Sequence, residues 1–142
     1  MKDTGIATGN SITLEIWNLD SQAPTADPNS ASKVSGATAT ISQNATDTNI
    51  PTATNGNRLT FKFTAPVTLT ANTYYGIVVF MASIGAGTVR VYGTDVDNYT
   101  NGEAQWSTDS GATFAAATNV AKDLYFDLNI FSELRRPIKI TN

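Results

Sequence analysis

The chain has 142 residues, a net charge of −3 and only 15% charged side chains, with neither cysteine nor histidine. Without cysteine there is no disulfide framework, thiol nucleophile or thiolate metal site; without histidine the commonest general base and metal ligand are gone, so a Ser-His-Asp triad is excluded. A negative chain with no basic stripe argues against a nucleic-acid partner, and the longest apolar run, residues 74–82, is far short of the roughly 20 residues that span a bilayer.

Residues 11–17, S-I-T-L-E-I-W, alternate strictly. Ile12, Leu14 and Ile16 fall on one face and Thr13, Glu15 and Trp17 on the other, as in a half-buried strand. Residues 18–32 are rich in Asp, Pro, Asn and Ser and predict a long loop. A second strand is expected over 37–42, with alanine giving it little packing area. Asn55-Gly56 is a hairpin signal. After it Leu59, Phe61 and Phe63 alternate with Thr60, Lys62 and Thr64, the clearest strand pattern in the chain.

Pro66 interrupts, Val67 and Leu69 continue, and Ala71-Asn72 predicts a turn. Residues 74–81 form a nearly continuous apolar run and predict a central strand buried on both faces. Residues 88–92 alternate again, with Val89 and Val91 inward. Residues 124–131 close the pattern, Leu124, Phe126, Leu128 and Ile130 sharing a face. No window supports a long amphipathic helix. The expectation is all-β: a single antiparallel β-sandwich, jelly-roll-like, of about seven or eight strands over residues 1–131. A domain of this length buries about 68–70% of its unfolded surface, enough to fold without metal or disulfide.

Ser107-Thr108-Asp109-Ser110-Gly111-Ala112-Thr113-Phe114 fits S-x-D-x-G-x-T-[W/F], the pattern called the Asp box. Asp109 is expected to accept backbone N–H bonds within the loop. Gly111 supplies a positive φ and Phe114 anchors the hairpin in the core, with Ser107 and Thr113 completing the turn. The motif specifies a local shape and says little about function. Sialidases carry several copies across propeller blades, and one copy in a short chain cannot build a propeller.

Asp95, Asp97 and Asn101 gather oxygen ligands in one stretch and would suit calcium, although the spacing departs from an EF-hand; the alternative is a solvated turn. No other cofactor is expected. Trp17, Tyr92, Tyr99 and Trp106 are candidates for a platform that stacks sugar rings, against the alternative that they fill the core or line subunit contacts. The carboxylates Glu15, Glu103 and Asp109 show no sign of converging as a glycosidase pair, so no catalytic residue is assigned. Asn44-Ala45-Thr46 and Asn98-Tyr99-Thr100 have the form of glycosylation sequons.

Three of the nine basic residues, Arg135, Arg136 and Lys139, fall in the last eight positions. They surround a short alternating segment in which Ile138 and Ile140 share a face. Residues 132–142 are read either as a frayed end or as an arm that adds a strand to a neighbour's open sheet edge.

In chain order, Thr4-Gly5 with Thr8-Gly9 precedes the strand ending Glu15-Ile16-Trp17, followed by Ala37-Thr38-Ala39-Thr40-Ile41, Leu59-Thr60-Phe61-Lys62-Phe63 and Tyr74-Tyr75-Gly76-Ile77-Val78-Val79. Tyr99, Gly102 and Trp106 lead into the Asp-box turn, and Asp123-Leu124-Tyr125-Phe126-Asp127 closes. This order resembles the jelly-roll β-sandwich modules of tailed-phage virion proteins and of bacterial surface or secreted proteins. Such modules begin with one or two strands ahead of the Thr-Gly segment. The resemblance therefore implies a sandwich lacking an N-terminal strand, which a neighbour supplies.

No apolar signal segment follows Met1-Lys2-Asp3-Thr4. A phage product released by lysis needs none. The function implied is that of a non-enzymatic structural protein in an extracellular assembly, a capsid-decoration or tail protein of a virion. It would act by self-association or by binding other virion or surface proteins, with no nucleic-acid partner and no membrane insertion. Two alternatives stand beside it: a carbohydrate-binding or adhesive module of a secreted protein, and a cell-surface filament subunit joined by donor-strand exchange.

Overall fold

A computed structural model describes residues 2–3, 11–23, 25–42, 59–81, 89–90, 93–94, 104–116 and 123–124. The described residues are all-β and contain no helix. The strands are β1 (Lys2–Asp3), β2 (Ser11–Leu19), β3 (Pro28–Ser42), β4 (Tyr75–Met81), β5 (Val89–Arg90), β6 (Gly93–Thr94), β7 (Gln105–Trp106), β8 (Ala115–Ala116) and β9 (Asp123–Leu124). An open three-stranded antiparallel sheet of order β3-β2-β4 carries the core, and two-residue ladders join β1 to β5, β6 to β9 and β7 to β8.

The sheet follows from the alternation of β2. Ile12 pairs with Ile41 and Leu14 with Ala39 on one side, while Met81, Val79 and Ile77 stand opposite Ile12, Leu14 and Ile16 on the other. These residues share one face. Ile12 is fully buried there, with Ile16, Ala37 and Ala39 nearly so. Burying a side chain such as Ile12 contributes about 1.5–3 kcal/mol. Ala37 and Ala39 of β3 are core residues.

The opposite face carries Thr13, Glu15 and Trp17. Thr13 and Thr40 sit across from each other with their hydroxyls 3.1 Å apart. Glu15 and Trp17 are also buried, so this end of β2 is covered on both faces rather than half-buried. In the described sheet β2, not β4, is the central strand. Among the described residues β4 pairs only with β2, and its Ile77, Val79 and Phe80 are 39%, 36% and 39% exposed.

The loop expected over 18–32 shrinks to 20–27, because β3 starts at Pro28. Proline is tolerated at the first position of a strand, where its missing N–H breaks no interior ladder bond. Between Glu15 and Trp17 on β2 the partner moves from Thr38 to Lys33, and between Trp17 and Leu19 it moves from Lys33 to Pro28. β3 thus takes the longer path twice. Gly36, at φ +74°, lies in the first shift. In the second, the Asn18 amide donates to the Ser32 carbonyl at 3.1 Å and to its Oγ at 2.9 Å, and the Asn29 side chain accepts from the Ala31 N–H.

The burial of residues 59–63 alternates as the sequence pattern predicts. They belong to none of the described strands. The expected turn at Ala71-Asn72 is present, with Asn72 at φ +56°. Asn55-Gly56 lies outside the described residues, as do most of residues 88–92 and 124–131.

Candidate functional site: the Asp-box hairpin and the sheet face beneath it

β7 and β8 pair antiparallel, with Trp106 opposite Ala115, and the Asp box joins them. Ser107 Oγ donates to Asp109 Oδ1 at 2.7 Å and accepts the Gly111 N–H at 2.8 Å. Asp109 Oδ1 also accepts the N–H groups of Ala112 and Thr113, at 3.1 and 2.9 Å, while Oδ2 accepts the Thr113 hydroxyl at 2.6 Å. Ser110 and Gly111 both take the left-handed conformation, at φ +63° and +84°. The Thr113 hydroxyl, then its N–H, then the Ser107 hydroxyl hold the Asp109 carboxyl far below the usual carboxylate range. Donors to the charged form favour it.

This turn rests on Trp17. A Cβ on Gly111 would lie 3.0 Å from Trp17 Cη2 and 3.3 Å from Cζ3. Phe114 meets the same indole edge-on, with centroids 6.3 Å apart and planes at 87°. Such a pair adds about 0.5–1.5 kcal/mol beyond the area it buries.

Strand register explains the polar cluster on the same face. Thr38 stands opposite Glu15, and Lys33 opposite Trp17. Glu15 Oε2 accepts the indole N–H of Trp17 at 2.7 Å and pairs with Lys33 Nζ at 2.8 Å, while Oε1 accepts the Thr38 hydroxyl at 3.3 Å. Lys33 Nζ also lies 5.2 Å from the Trp17 ring centroid, within cation–π range. Burial pushes the Glu15 carboxyl up, but the Lys33 ammonium and the Trp17 and Thr38 donors together bring it below its ordinary value. Both carboxylates are therefore held as anions by their partners.

Beside the hairpin, Gln105 Nε2 donates to the Thr25 carbonyl at 3.3 Å, and its Oε1 is buried with no hydrogen bond among the described residues. Gln22 Oε1 accepts the Tyr74 N–H at 2.8 Å, tying the 20–27 loop to the start of β4.

Of the four proposed platform aromatics, Trp17 is 4% exposed, one indole edge being under Gly111 and Phe114 and its N–H on Glu15. It offers no ring face to a sugar. Trp106, 55% exposed on the hairpin, remains at the surface. Tyr92, Tyr99, the calcium candidates Asp95, Asp97 and Asn101, the carboxylate Glu103, both sequons, and Arg135, Arg136, Ile138 and Ile140 of the arm all lie outside the described residues.

Sequence reasoning placed Thr38 on the expected strand over 37–42 without giving it a partner, and missed Lys33, since nothing in residues 28–36 marks a strand. A signal for Glu15 was present: a carboxylate two residues before a tryptophan shares its strand face, so a buried Trp17 implies a buried, partnered Glu15. No family model, curated protein or solved structure matches the chain.

Proposed function

We propose that this protein is a non-enzymatic structural component of an extracellular assembly, of the kind found in virions, and that its chemistry is association through sheet edges. The fold behind this reading is a jelly-roll-like sandwich over residues 1–131, carrying an arm at 132–142.

One observation carries the proposal. β4 is seven residues without a charge, at the end of the described sheet, with Ile77, Val79 and Phe80 each more than a third exposed. An apolar edge strand is a template for pairing, and proteins that stay apart protect such edges with charges, prolines or distortions. The carboxylates point the same way. A glycosidase acid needs a raised pKa, whereas Glu15 and Asp109 are both lowered and fully engaged in structural bonds. The mass of the full chain in solution, measured over a dilution series, tests the reading. An oligomer that dissociates on dilution is expected; a monomer at every concentration overturns it.

The second reading, a carbohydrate-binding module, draws on Trp106, whose exposed indole could stack a sugar ring. Glycan-array binding by a monomer, abolished in Trp106→Ala, would favour it over the first.

A further inference from the structure

The association reading leaves open what β4 pairs with. Its sequence, Tyr75-Gly-Ile-Val-Val-Phe-Met81, holds no charge that would repel an identical strand. Residues related by a two-fold axis normal to a sheet share a face, so an antiparallel self-pair has its axis at one residue. Only an axis at Val78 matches all seven residues, Tyr75 standing opposite Met81, Gly76 opposite Phe80 and Ile77 opposite Val79. Moving the axis one residue either way leaves two residues at one end of each strand unmatched.

That register also suits both faces. Ile77 and Val79 lie on the face of the Ile12–Leu14–Ile16 row. An Ile77–Val79 pair made twice would extend this apolar row across the seam and cover two exposed side chains on each copy. On the other face Phe80 would stand opposite a glycine. Gly76 is roofed by Pro28, whose Cβ and Cγ lie 3.0 Å from where a Cβ would be, and by Leu19 Cδ2 at 3.4 Å. The place facing Phe80 is therefore an apolar surface formed by Pro28 and Leu19, on which the ring would pack.

We propose that β4 pairs antiparallel with the β4 of a second copy about a two-fold axis at Val78, joining two three-stranded sheets into one. This rests on the association reading and names its partner.

The test uses the absence of cysteine from the chain. Residues directly opposite in an antiparallel pair have Cα atoms about 4.5–5.5 Å apart, within disulfide range. Full-length Val78→Cys should therefore oxidise to a covalent dimer under mild conditions, while Thr68→Cys, exposed and outside β4, should not. Val79→Lys places a charge in the seam and should abolish the dimer, with the buried Trp17 fluorescence unchanged as evidence of folding.

Suppose the wild-type chain oligomerises, yet Val78→Cys forms no disulfide. The two-fold seam is then wrong while the association reading survives. The seam is equally wrong if Ile138→Asp, in the arm, dissolves the oligomer and Val78→Cys does not cross-link. A wild-type chain that is monomeric throughout overturns both.

Discussion

Gly111 lies against the indole of Trp17 so closely that a Cβ there would sit 3.0 Å from Cη2. The hairpin backbone is thereby fitted directly onto the Trp17 side chain of the sheet's central strand, with no side chain of Gly111 between them. Contacts of this kind are rigid, because on one side the yielding group is backbone and on the other a tryptophan already bonded to Glu15.

Gly36 and Gly111 make a controlled comparison. Both have positive φ, but a Cβ on Gly36 meets nothing within 4 Å. Gly36→Ala should cost only the conformational penalty, about 1 kcal/mol. Gly111→Ala adds the collision with Trp17 and should cost about 2–3 kcal/mol. Urea midpoints of the two variants check the difference.

The Asp109 carboxyl gives a signed pH dependence. Its folded value is depressed, so the folded chain stays ionised while the unfolded chain takes up a proton near the ordinary value of about 3.9. Its contribution is complete above that pH and is lost as the pH falls below it towards the folded value. Glu15 acts in the same direction. The difference in Tm between wild type and Asp109→Asn should be largest at neutral pH and shrink steadily below about pH 4.

Removing Lys33 leaves the buried Glu15 anion with only its indole and hydroxyl donors. Lys33 is itself 48% exposed, so the loss stays well below that of a fully buried pair. Lys33→Met should cost about 1–2 kcal/mol. In a Glu15→Gln background, which keeps an acceptor for the Trp17 N–H, the same change should cost less than half as much. A double-mutant cycle by chemical denaturation measures that coupling.

Trp106 is the counter-case. Being mostly solvent-exposed, Trp106→Ala should leave the urea midpoint within about 0.5 kcal/mol of wild type. A larger loss would mean that the indole is covered in the native state.

The fold class was legible because β2 alternates strictly and β4 is a continuous apolar run. Which of the two lies at the centre was not. A run without polar positions predicts burial on both faces, yet Ile77, Val79 and Phe80 are exposed, while β2, with Thr13 and Glu15 on its second face, is the strand flanked on both sides in the described sheet. Composition records what a side chain prefers, not which neighbours the topology provides. Residues 28–36 were opaque for another reason. Their strand is held by Asn18 reaching to Ser32 and by a local Asn29 turn, and these polar substitutes for a regular ladder look like loop chemistry in the sequence. The Asp box was legible in detail because each of its bonds is local. Its seat on Trp17 was not, since that contact joins residues far apart in the chain.

The two register shifts of β3 have a consequence for stoichiometry. Where a strand takes a longer path than its neighbour, its outer N–H and C=O groups lose the even spacing that an added strand would need. The described sheet therefore has one even flank, β4, and one, β3, that is uneven over residues 28–38 and regular over residues 38–42. Two such sheets joined at β4 present β3 outward, where only residues 38–42 keep the even spacing that an added strand needs, so further growth there is disfavoured. In the proposed arrangement the irregularity of β3 works against open-ended growth, favouring a small closed assembly over a fibre.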